Sequence, residues 1–253
     1  MRIENSFIPV YGVGEATERQ LWTDGITHWD EFSADAVGPK TAARIESFID
    51  DARKHLSRNE FEFFAEEVPP RYQWRLFENA GDEACYLDIE TTGLSRDRHD
   101  VTTVTIHRAG ETTTLVRGTD LDAATLRAEL DDVPLLVTFN GRRFDVPFLE
   151  SSFDVELSAP HLDLYYPCRS LDLTGGLDGV ESALGIERDL PDLSGRDAVR
   201  LWRAYEAGDD EALETLIRYN RADTENLATI ASHVTSRMHR TVFEAVCAGE
   251  ETD

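Results

Sequence analysis

The chain alternates between short apolar runs and segments in which apolar residues recur every three or four positions. Residues 85–89 and 134–139 are apolar over the length of a buried central strand. Residues 101–107 and 112–116 have the composition of two further strands, joined at residues 109–110 as a hairpin. This pattern predicts a sheet that begins near residue 84.

Helical spacing dominates the remainder of the second half of the chain. One helix is predicted within residues 121–130, and two longer helices are predicted at residues 194–207 and 209–236. Beyond residue 147 we expect mostly helix. Strands followed by packed helices indicate an α/β layer arrangement.

The first 58 residues have the pattern of a small all-helical module. A helix-like run ends near Trp22 and Gly25, and a second helix with a one-sided apolar stripe opens at residues 37–39. The next segment contains Pro69 and Pro70 and is interpreted as a connector. We therefore predict a helical module over residues 1–58, a connector over 59–79, an α/β domain over 80–237 and a polar tail over 238–253.

Net charge is the most unusual property of the composition. The formal net charge is −25, and Lys40 and Lys54 are the two lysines of the chain. Because affinity for nucleic acid comes largely from Lys and Arg, either the protein does not bind nucleic acid or it works in a very salty cytoplasm. At about 1 M salt the Debye length is about 3 Å, so long-range repulsion almost vanishes. We favour a halophilic protein, in which the excess of carboxylates is an adaptation to salt.

The composition also excludes several classes of protein. Apolar residues make up 41% of the chain, enough for a packed core, and no apolar run approaches the ~20 residues of a membrane span. The N-terminus lacks the pattern of a signal peptide. Three widely spaced cysteines form neither a disulfide framework nor a metal-binding pair. We expect a cytoplasmic protein without membrane partners.

Candidate chemistry begins at Asp88 and Glu90. These residues are two apart in a predicted strand, so their side chains leave the same face, with Cα atoms roughly 6.5–7 Å apart. Two such carboxylates repel one another unless a cation lies between them. The alternative is a strand end that emerges into solvent. A tight polar turn that begins at Thr91 follows directly.

The second candidate region follows the second strong strand. Asn140 and Asp145 lie within residues 140–149, where a side chain could meet the end of the first strand. Asp145 also suits the N-cap of a helix, because Pro147 lies just inside the following apolar run.

The third candidate region is the last long helix. Tyr219 and Asp223 are four residues apart and therefore stack on one side of that helix, beside its inward apolar stripe. An aspartate there needs a compensating partner. That partner is either an arginine or a metal ion shared with the other carboxylates.

Oxygen-only ligands favour hard cations such as Mg²⁺ or Mn²⁺. Two such ions about 3.5–4 Å apart can activate water and stabilise the leaving oxygen in phosphoryl transfer. The chain contains no P-loop and no dinucleotide-binding glycine motif. It also contains no GxSxG or Cys/His nucleophile context.

Three ordered motifs resemble those of the DEDD exonuclease superfamily. Residues 86–93 are similar to the first motif, residues 140–149 to the second, and residues 219–223 to the third motif in its tyrosine form. The histidine form would have His at the position of Arg218. Residues 161–164, 175–186 and 201–205 further resemble the YprB-like ribonuclease H-fold family.

The resemblance implies a ribonuclease H-like fold, a mixed β-sheet flanked by helices. It also implies two-metal hydrolysis of nucleic acid from a 3′ end. Carried over, the metal ligands would be Asp88, Glu90, Asp145 and Asp223, while Tyr219 would orient the attacking water as a hydrogen-bond partner more than as a base. Thr91 and Asn140 are candidate substrate contacts, although Asn140 also suits a turn.

The helical module is similar to tandem helix-hairpin-helix motifs. In that family a glycine turn presents backbone N–H groups to a phosphate. The corresponding candidates are Gly12, Gly14, Gly38 and Lys40. The alternative is that the helices merely pack on the α/β domain, since few basic residues occur in this stretch.

The sequence leaves three functional hypotheses. A 3′–5′ exonuclease acting on single-stranded DNA or RNA ends is favoured. A non-catalytic nucleic-acid-binding or assembly protein would keep the same fold. A structure-selective endonuclease would differ in cleaving circular single strands.

Overall fold

The computed structural model describes residues 1–191 and 193–249. Five strands are present: β1 Cys85–Thr91, β2 Val101–Arg108, β3 Glu111–Val116, β4 Leu136–Thr138 and β5 His161–Asp163. The helices before the sheet are α1 Glu15–Thr23, α2 Pro39–Ser57, α3 Glu62–Glu67 and α4 Phe77–Ala80. The later helices are α5 Ala123–Glu129, α6 Asp145–Phe153, α7 Tyr165–Ser170, α8 Gly176–Leu184, α9 Gly195–Glu206, α10 Asp210–His239 and α11 Ala245–Cys247. Short 3₁₀ turns and a π-helical turn at Arg240–Glu244 complete the described structure.

The five strands form one mixed sheet in the order β3-β2-β1-β4-β5. β1 pairs antiparallel with β2 and parallel with β4, and β4 pairs parallel with β5. β1 is therefore central, with paired neighbours on both edges. The mixed α/β sheet predicted from the sequence is confirmed.

Side-chain alternation gives β1 two different faces. Cys85, Leu87 and Ile89 point into an apolar core beneath the sheet. Asp88 and Glu90 therefore share the opposite face, on which α10 packs. The register of β2 places Thr105 opposite Asp88 and Thr103 opposite Glu90. A polar strip thus lies between the sheet and α10.

The two predicted C-terminal helices are present, with bounds shifted by a few residues. β5 was not predicted, because the sequence beyond residue 147 was expected to be mostly helical. It has three residues and two of its side chains, His161 and Asp163, are polar. A strand this short, buried between its neighbour and the connector, carries no alternating pattern that a sequence could reveal.

The N-terminal helices and the α/β part share one apolar core. Trp22 of α1 and Ile45 of α2 belong to the same buried cluster as Ile230 and Val234 of α10. A buried ion pair supports this packing: Glu18 of α1 accepts hydrogen bonds from Arg75 Nη1 at 2.7 and 2.8 Å. The boundaries drawn at residues 58 and 79 stay a prediction.

The chain stays helical beyond residue 237, where the sequence predicts a polar tail. A π-helical turn leads into α11, and Val246 is buried. Phe243 packs edge-on against Trp22 with ring centroids 5.1 Å apart, which ties this end to α1. Residues 250–253 of the predicted tail lie outside the described residues. No described helix has both the length and the apolarity that a membrane span needs.

Candidate active site

Three acidic side chains meet between the sheet and α10. Carboxylate oxygens of Asp88, Glu90 and Asp223 lie within 4.8 Å of one another. The first two come from one face of β1, and the third comes from the inward side of α10, where it is buried. Asp223 lies far in sequence from Asp88 and Glu90, and the fold brings the three carboxylates into one cluster.

Asp145 lies beside this cluster but outside the 4.8 Å group. It is the first residue of α6 and is 4% exposed. The N-cap interpretation of this residue is wrong, because Phe144 occupies the N-cap position and makes no capping hydrogen bond. Asp145 instead lines the same cleft as the other three carboxylates.

The cleft around the four carboxylates has a volume of about 710 Å³. Its walls come from four parts of the chain: β1 with the turn after it, the turn into α6 with the first residue of α6, the start of α9 and the inner side of α10. The non-acidic lining residues include Thr91, Leu94, Phe139, Asn140, Phe144, Arg196 and Tyr219. A cleft of this size admits a nucleotide-sized group.

Mutual repulsion and burial leave these carboxylates poorly stabilised as anions. Burial, and after it the charges of the neighbouring carboxylates, raise the pKa of Asp88 well above its usual range. Burial followed by Asp223 and Asp145 has the same effect on the pKa of Glu90. Burial raises the pKa of Asp145 and of Asp223 to about 7. A cation within the cluster would offset both penalties.

Tyr219 lies one helical turn before Asp223 on α10 and is buried. Burial raises the pKa of its phenol strongly, and the charges of Asp223 and Glu90 add to this effect. A hydrogen bond to Asp223 also favours the protonated phenol. Tyr219 is therefore a hydrogen-bond donor and not a base at ordinary pH.

Arg188 is a member of the site that sequence reasoning missed. Its Nη2 donates a hydrogen bond to Asp223 Oδ1 at 2.6 Å, and its Nη1 donates to Glu181 at 2.5 Å and to Asp178. The sequence offered two partners for Asp223, an arginine or a metal ion shared with other carboxylates. The structure has the arginine, and it also places Asp223 in a cluster of carboxylates. No short motif marks Arg188, because its partners are 7, 10 and 35 residues away.

Asn220 is a second residue whose role the sequence did not indicate. It is fully buried, and its Nδ2 donates to Asp88 Oδ2 at 2.6 Å. Its Oδ1 accepts hydrogen bonds from Thr103 at 3.0 Å and from Thr105 at 2.7 Å. These two hydroxyl groups fix the orientation of the amide, so that its N–H faces the carboxylate of Asp88.

The candidate substrate contacts near the cleft have structural partners. Thr91 Oγ1 donates to the carbonyl of Gly93 at 2.8 Å, within the turn after β1. Asn140 has a φ of 65°, and its backbone N–H donates to Asp163 at 2.7 Å. Both residues line the cleft, but these hydrogen bonds stabilise the turns in which the residues lie.

His161 and Asp163 make structural hydrogen bonds. Asp163 accepts backbone hydrogen bonds from Asn140, Arg142 and Tyr165 at 2.7–3.1 Å. His161 Nε2 pairs with the hydroxyl of Thr138 at 2.7 Å. The turn that leads into α6 is therefore held by β5.

The four N-terminal candidates do not line this cleft. Gly14 and Gly38 are the N-caps of α1 and α2, and Gly12 has a φ of 94° that favours glycine. Lys40 is exposed near the start of α2. Arg44 of α2 donates to the Tyr11 carbonyl at 3.3 Å, so the first glycine turn contacts the second helix.

Several solved structures resemble this chain. A family B DNA polymerase from the hyperthermophilic archaeon Pyrobaculum calidifontis is 18% identical, with a TM-score of 0.51. The similarity covers 65% of this chain and 27% of the polymerase, so the chain matches about a quarter of that protein. Brucella melitensis NrnC with bound Mg²⁺ is 19% identical over 68% of this chain and 85% of NrnC, with a TM-score of 0.44. A structure described as the apo form of a nuclease is 21% identical over 68% of this chain and 82% of that one, with a TM-score of 0.46.

No curated protein matches the chain at a significant level. The sequence profile of the RNase_H superfamily matches residues 85–235. This region runs from the start of β1 almost to the end of α10 and contains all four candidate carboxylates. The ribonuclease H-like fold expected from the sequence is confirmed by this match and by the similarity to the polymerase. Because the match covers more than half of the chain, the protein belongs to the RNase H superfamily.

Proposed function

We propose that the protein is a nuclease that depends on divalent metal ions and removes nucleotides from single-stranded 3′ ends. The observation that carries this proposal is the convergence of three carboxylates within 4.8 Å, beside a fourth and a phenol. In a cleft of about 710 Å³, such a group suits phosphodiester hydrolysis. The proposed enzyme class is a DEDD exonuclease of the tyrosine type.

The donor set fits hard divalent cations. All four carboxylates supply oxygen, which Mg²⁺ and Mn²⁺ prefer. Asp88, Glu90, Asp145 and Asp223 would hold the ions, whose charge would offset the burial that raises the pKa of each carboxylate. Two bound ions would activate a water molecule and stabilise the leaving oxygen.

Other side chains prepare the site for that chemistry. Asn220 donates to Asp88 and favours its charged form. The protonated Tyr219 would donate a hydrogen bond at the cleft wall and orient the attacking water. Asp163 holds the backbone of the turn that carries Asn140 and leads to Asp145. Each of these groups reduces the reorganisation that the reaction needs.

The subfamily, the role of the N-terminal helices and the type of nucleic acid are parts of the same proposal. Residues 161–164, 175–186 and 201–205 support the YprB-like subfamily. The glycine turns at Gly12 and Gly38 support a helix-hairpin-helix contact with the nucleic-acid backbone, in which Gly14 and Lys40 would take part. DNA and RNA are both candidate substrates.

The pairing of Arg188 with Asp223 favours a second candidate function. A guanidinium at 2.6 Å from Asp223 supplies positive charge to the cluster without a metal ion. If this contact persists when metal and nucleic acid are present, the protein is a non-catalytic nucleic-acid-binding member of the superfamily. Metal titration and a cleavage assay separate the two functions.

The test is a cleavage assay with Mn²⁺ or Mg²⁺ at high salt. We expect the wild-type protein to remove the label from a 3′-labelled single strand. Asp88→Ala and Asp223→Ala should reduce the rate at least about 100-fold, because each removes a group that holds the metal. Asp50→Ala, which removes an exposed carboxylate of α2 outside the cleft, is the matched control and should retain full activity.

Three outcomes would overturn parts of this proposal. Undiminished cleavage by both alanine variants would remove the assigned metal site. Cleavage of a circular single strand at the same rate as a linear one would replace the exonuclease with a structure-selective endonuclease. Strand binding without cleavage by the wild-type protein would favour the non-catalytic function.

A further inference from the structure

We propose that an exposed surface beside the cleft, formed by Arg143, Tyr165, Tyr166 and Arg169, binds the bases and phosphates of a single-stranded nucleic acid. We call it the arginine–tyrosine surface. The choice of nucleic acid as the partner rests on the proposed function. The proposal adds a binding site outside the cleft and a reason for a preference for single strands.

A row of aromatic rings connects this surface with the cleft. Phe139 lines the cleft, and its ring meets that of Tyr165 edge-on, with centroids 6.1 Å apart. Tyr165 in turn meets Tyr166 edge-on at 5.4 Å. Tyr166 is 41% exposed and is one of three large hydrophobic side chains so exposed among the described residues. A second of these, Leu94, lines the cleft itself.

Each tyrosine has an arginine beside it. The Cζ atom of Arg143 lies 5.9 Å from the ring centroid of Tyr166. The Cζ atom of Arg169 lies 5.6 Å from the ring centroid of Tyr165, and its Nη1 donates to the phenol oxygen at 2.9 Å. These contacts preorganise two guanidinium groups next to two ring faces.

Both arginines are available to an anion from outside the protein. Acidic residues outnumber Lys and Arg by 50 to 25, and many of the arginines are paired with carboxylates. Arg143 and Arg169 are both exposed, and neither pairs with a carboxylate in residues 1–191 or 193–249. Their guanidinium groups can therefore contact the phosphates of a bound strand.

The combination favours a single strand over a duplex. The exposed ring of Tyr166 can stack on an unpaired base of any sequence, while the neighbouring arginines contact the backbone. Bases within a duplex are already stacked on each other and offer no face to Tyr166. Stacking also acts at short range, so it is effective despite the net charge of −25, which repels a polyanion at long range.

The surface is held rigidly relative to the cleft. Asp163 accepts the backbone N–H of Tyr165 at 3.1 Å and those of Asn140 and Arg142 at 2.7 and 3.1 Å. One carboxylate thus fixes the start of α7, which carries the tyrosines, to the turn that carries Arg143. A strand bound on the surface would keep a constant position relative to the carboxylates.

The test measures binding separately from chemistry. Fluorescence anisotropy of a labelled ten-nucleotide thymidine strand, in EDTA, gives the affinity without cleavage. We expect Tyr166→Ala to weaken binding at least about five-fold, as expected for the loss of one stacked base. Tyr166→Phe keeps the ring and should bind within two-fold of wild type. Affinity for a blunt duplex should change by less than two-fold in both variants.

Salt dependence tests the arginines. The binding constant of a strand falls with salt, so the slope of log K against log salt concentration is negative. Arg143→Gln and Arg169→Gln should each make this slope less steep by about 0.7, as expected for the loss of one phosphate contact. Arg240→Gln is the matched control: this arginine is exposed and has no carboxylate partner among the described residues, but it lies in the C-terminal π-helical turn. Its slope should equal that of wild type.

A small ester distinguishes failure of this proposal from failure of the proposed function. Hydrolysis of the p-nitrophenyl ester of thymidine 5′-monophosphate with Mn²⁺ needs the cleft but no strand. If wild type and Tyr166→Ala hydrolyse it equally and also bind the strand equally, the arginine–tyrosine surface is wrong and the nuclease stands. If neither hydrolyses it but only wild type binds the strand, the surface stands and the nuclease is wrong. Equal loss of single-strand and duplex binding in Tyr166→Ala would also overturn the surface.

Discussion

At the scale of a single residue, substitution of Tyr219 can distinguish an effect on the cleavage rate from an effect on metal binding. Because burial and two carboxylates keep it protonated, its contribution is a donated hydrogen bond. Tyr219→Phe removes that hydrogen bond and leaves all four carboxylates in place. We expect the single-turnover cleavage rate to fall about 10- to 100-fold, the worth of one hydrogen bond to a charged group, while Mn²⁺ affinity changes by less than two-fold.

Tyr205→Phe is the control for this substitution, since Tyr205 packs on Trp202 outside the lining of the cleft. It should leave both the rate and the Mn²⁺ affinity unchanged. A parallel loss of rate and metal affinity in Tyr219→Phe would instead make Tyr219 a structural residue.

The carboxylate cluster makes the stability of the metal-free protein depend on pH. Burial raises the pKa of Asp145 and Asp223 from 3.8 to about 7. The native state therefore binds more protons than the unfolded state between these values, so the stability that these two groups contribute is fully present below about pH 4 and is lost as pH rises towards 7. In EDTA we expect the melting temperature to fall by at least about 4 °C between pH 5 and pH 8.

Saturating Mn²⁺ should reverse this trend, because the ion binds the deprotonated carboxylates. The gain in melting temperature on adding Mn²⁺ should be larger at pH 8 than at pH 6. Asp145→Asn removes one titrating group and should reduce the slope seen in EDTA. The same slope in wild type and Asp145→Asn would show that other residues cause the dependence.

At the scale of elements, the sequence predicted the strands and helices that have a regular pattern of apolar residues. The apolar run of β1 and the one-sided spacing of α10 gave both elements, and alternation placed Asp88 and Glu90 on one face. The same logic failed at β5, which has only three residues and two polar side chains. For carboxylates far apart in sequence, only the resemblance of their motifs to a known family predicted that they share one site.

Contacts between elements set the limit of that prediction. The amide of Asn220 is oriented by Thr103 and Thr105, more than a hundred residues earlier in the chain. No spacing rule gives such a contact. The pairing of Arg188 with Asp223 is of the same kind, since it depends on how the segment after α8 packs against α10.

This packing between elements leads to a prediction for Arg188. If its guanidinium stands in for a metal ion at Asp223, it competes with the ion. Arg188→Gln should then bind Mn²⁺ at least about five-fold more tightly, because both the competing hydrogen bond and a repelling positive charge are gone. The variant should also melt at a lower temperature, since Glu181 is buried and loses its partner.

Two further variants control for these effects. The double variant Arg188→Gln/Glu181→Gln removes the unpaired carboxylate, so it should recover stability and keep the tighter Mn²⁺ binding. Arg218→Gln breaks an exposed pair with Asp189 and should change neither property. Weaker Mn²⁺ binding by Arg188→Gln would mean that Arg188 supports the site and does not compete for it.

At the scale of the whole molecule, the charge of −25 governs how stability depends on salt. Acidic residues outnumber basic ones by two to one, so the folded chain repels itself at low ionic strength. At about 1 M salt the Debye length is about 3 Å, and this repulsion almost disappears. The excess of acidic residues therefore favours a protein adapted to high salt, and under the proposed function short-range contacts would be the main means of holding a nucleic acid.

We expect the melting temperature to rise by at least about 10 °C between 0.1 and 2 M KCl, because screening removes the repulsion among exposed carboxylates. Replacing Glu66, Glu150 and Glu206 by Lys tests the cause, since all three are exposed and none has an ion-pair partner within the described residues. The triple variant should be more stable than wild type at 0.1 M KCl and should gain less from added salt. The corresponding Gln variant should show an intermediate gain, because it removes three negative charges without adding positive ones. If wild type is fully stable at about 50 mM salt, repulsion among the carboxylates does not control its stability and the halophilic interpretation is wrong.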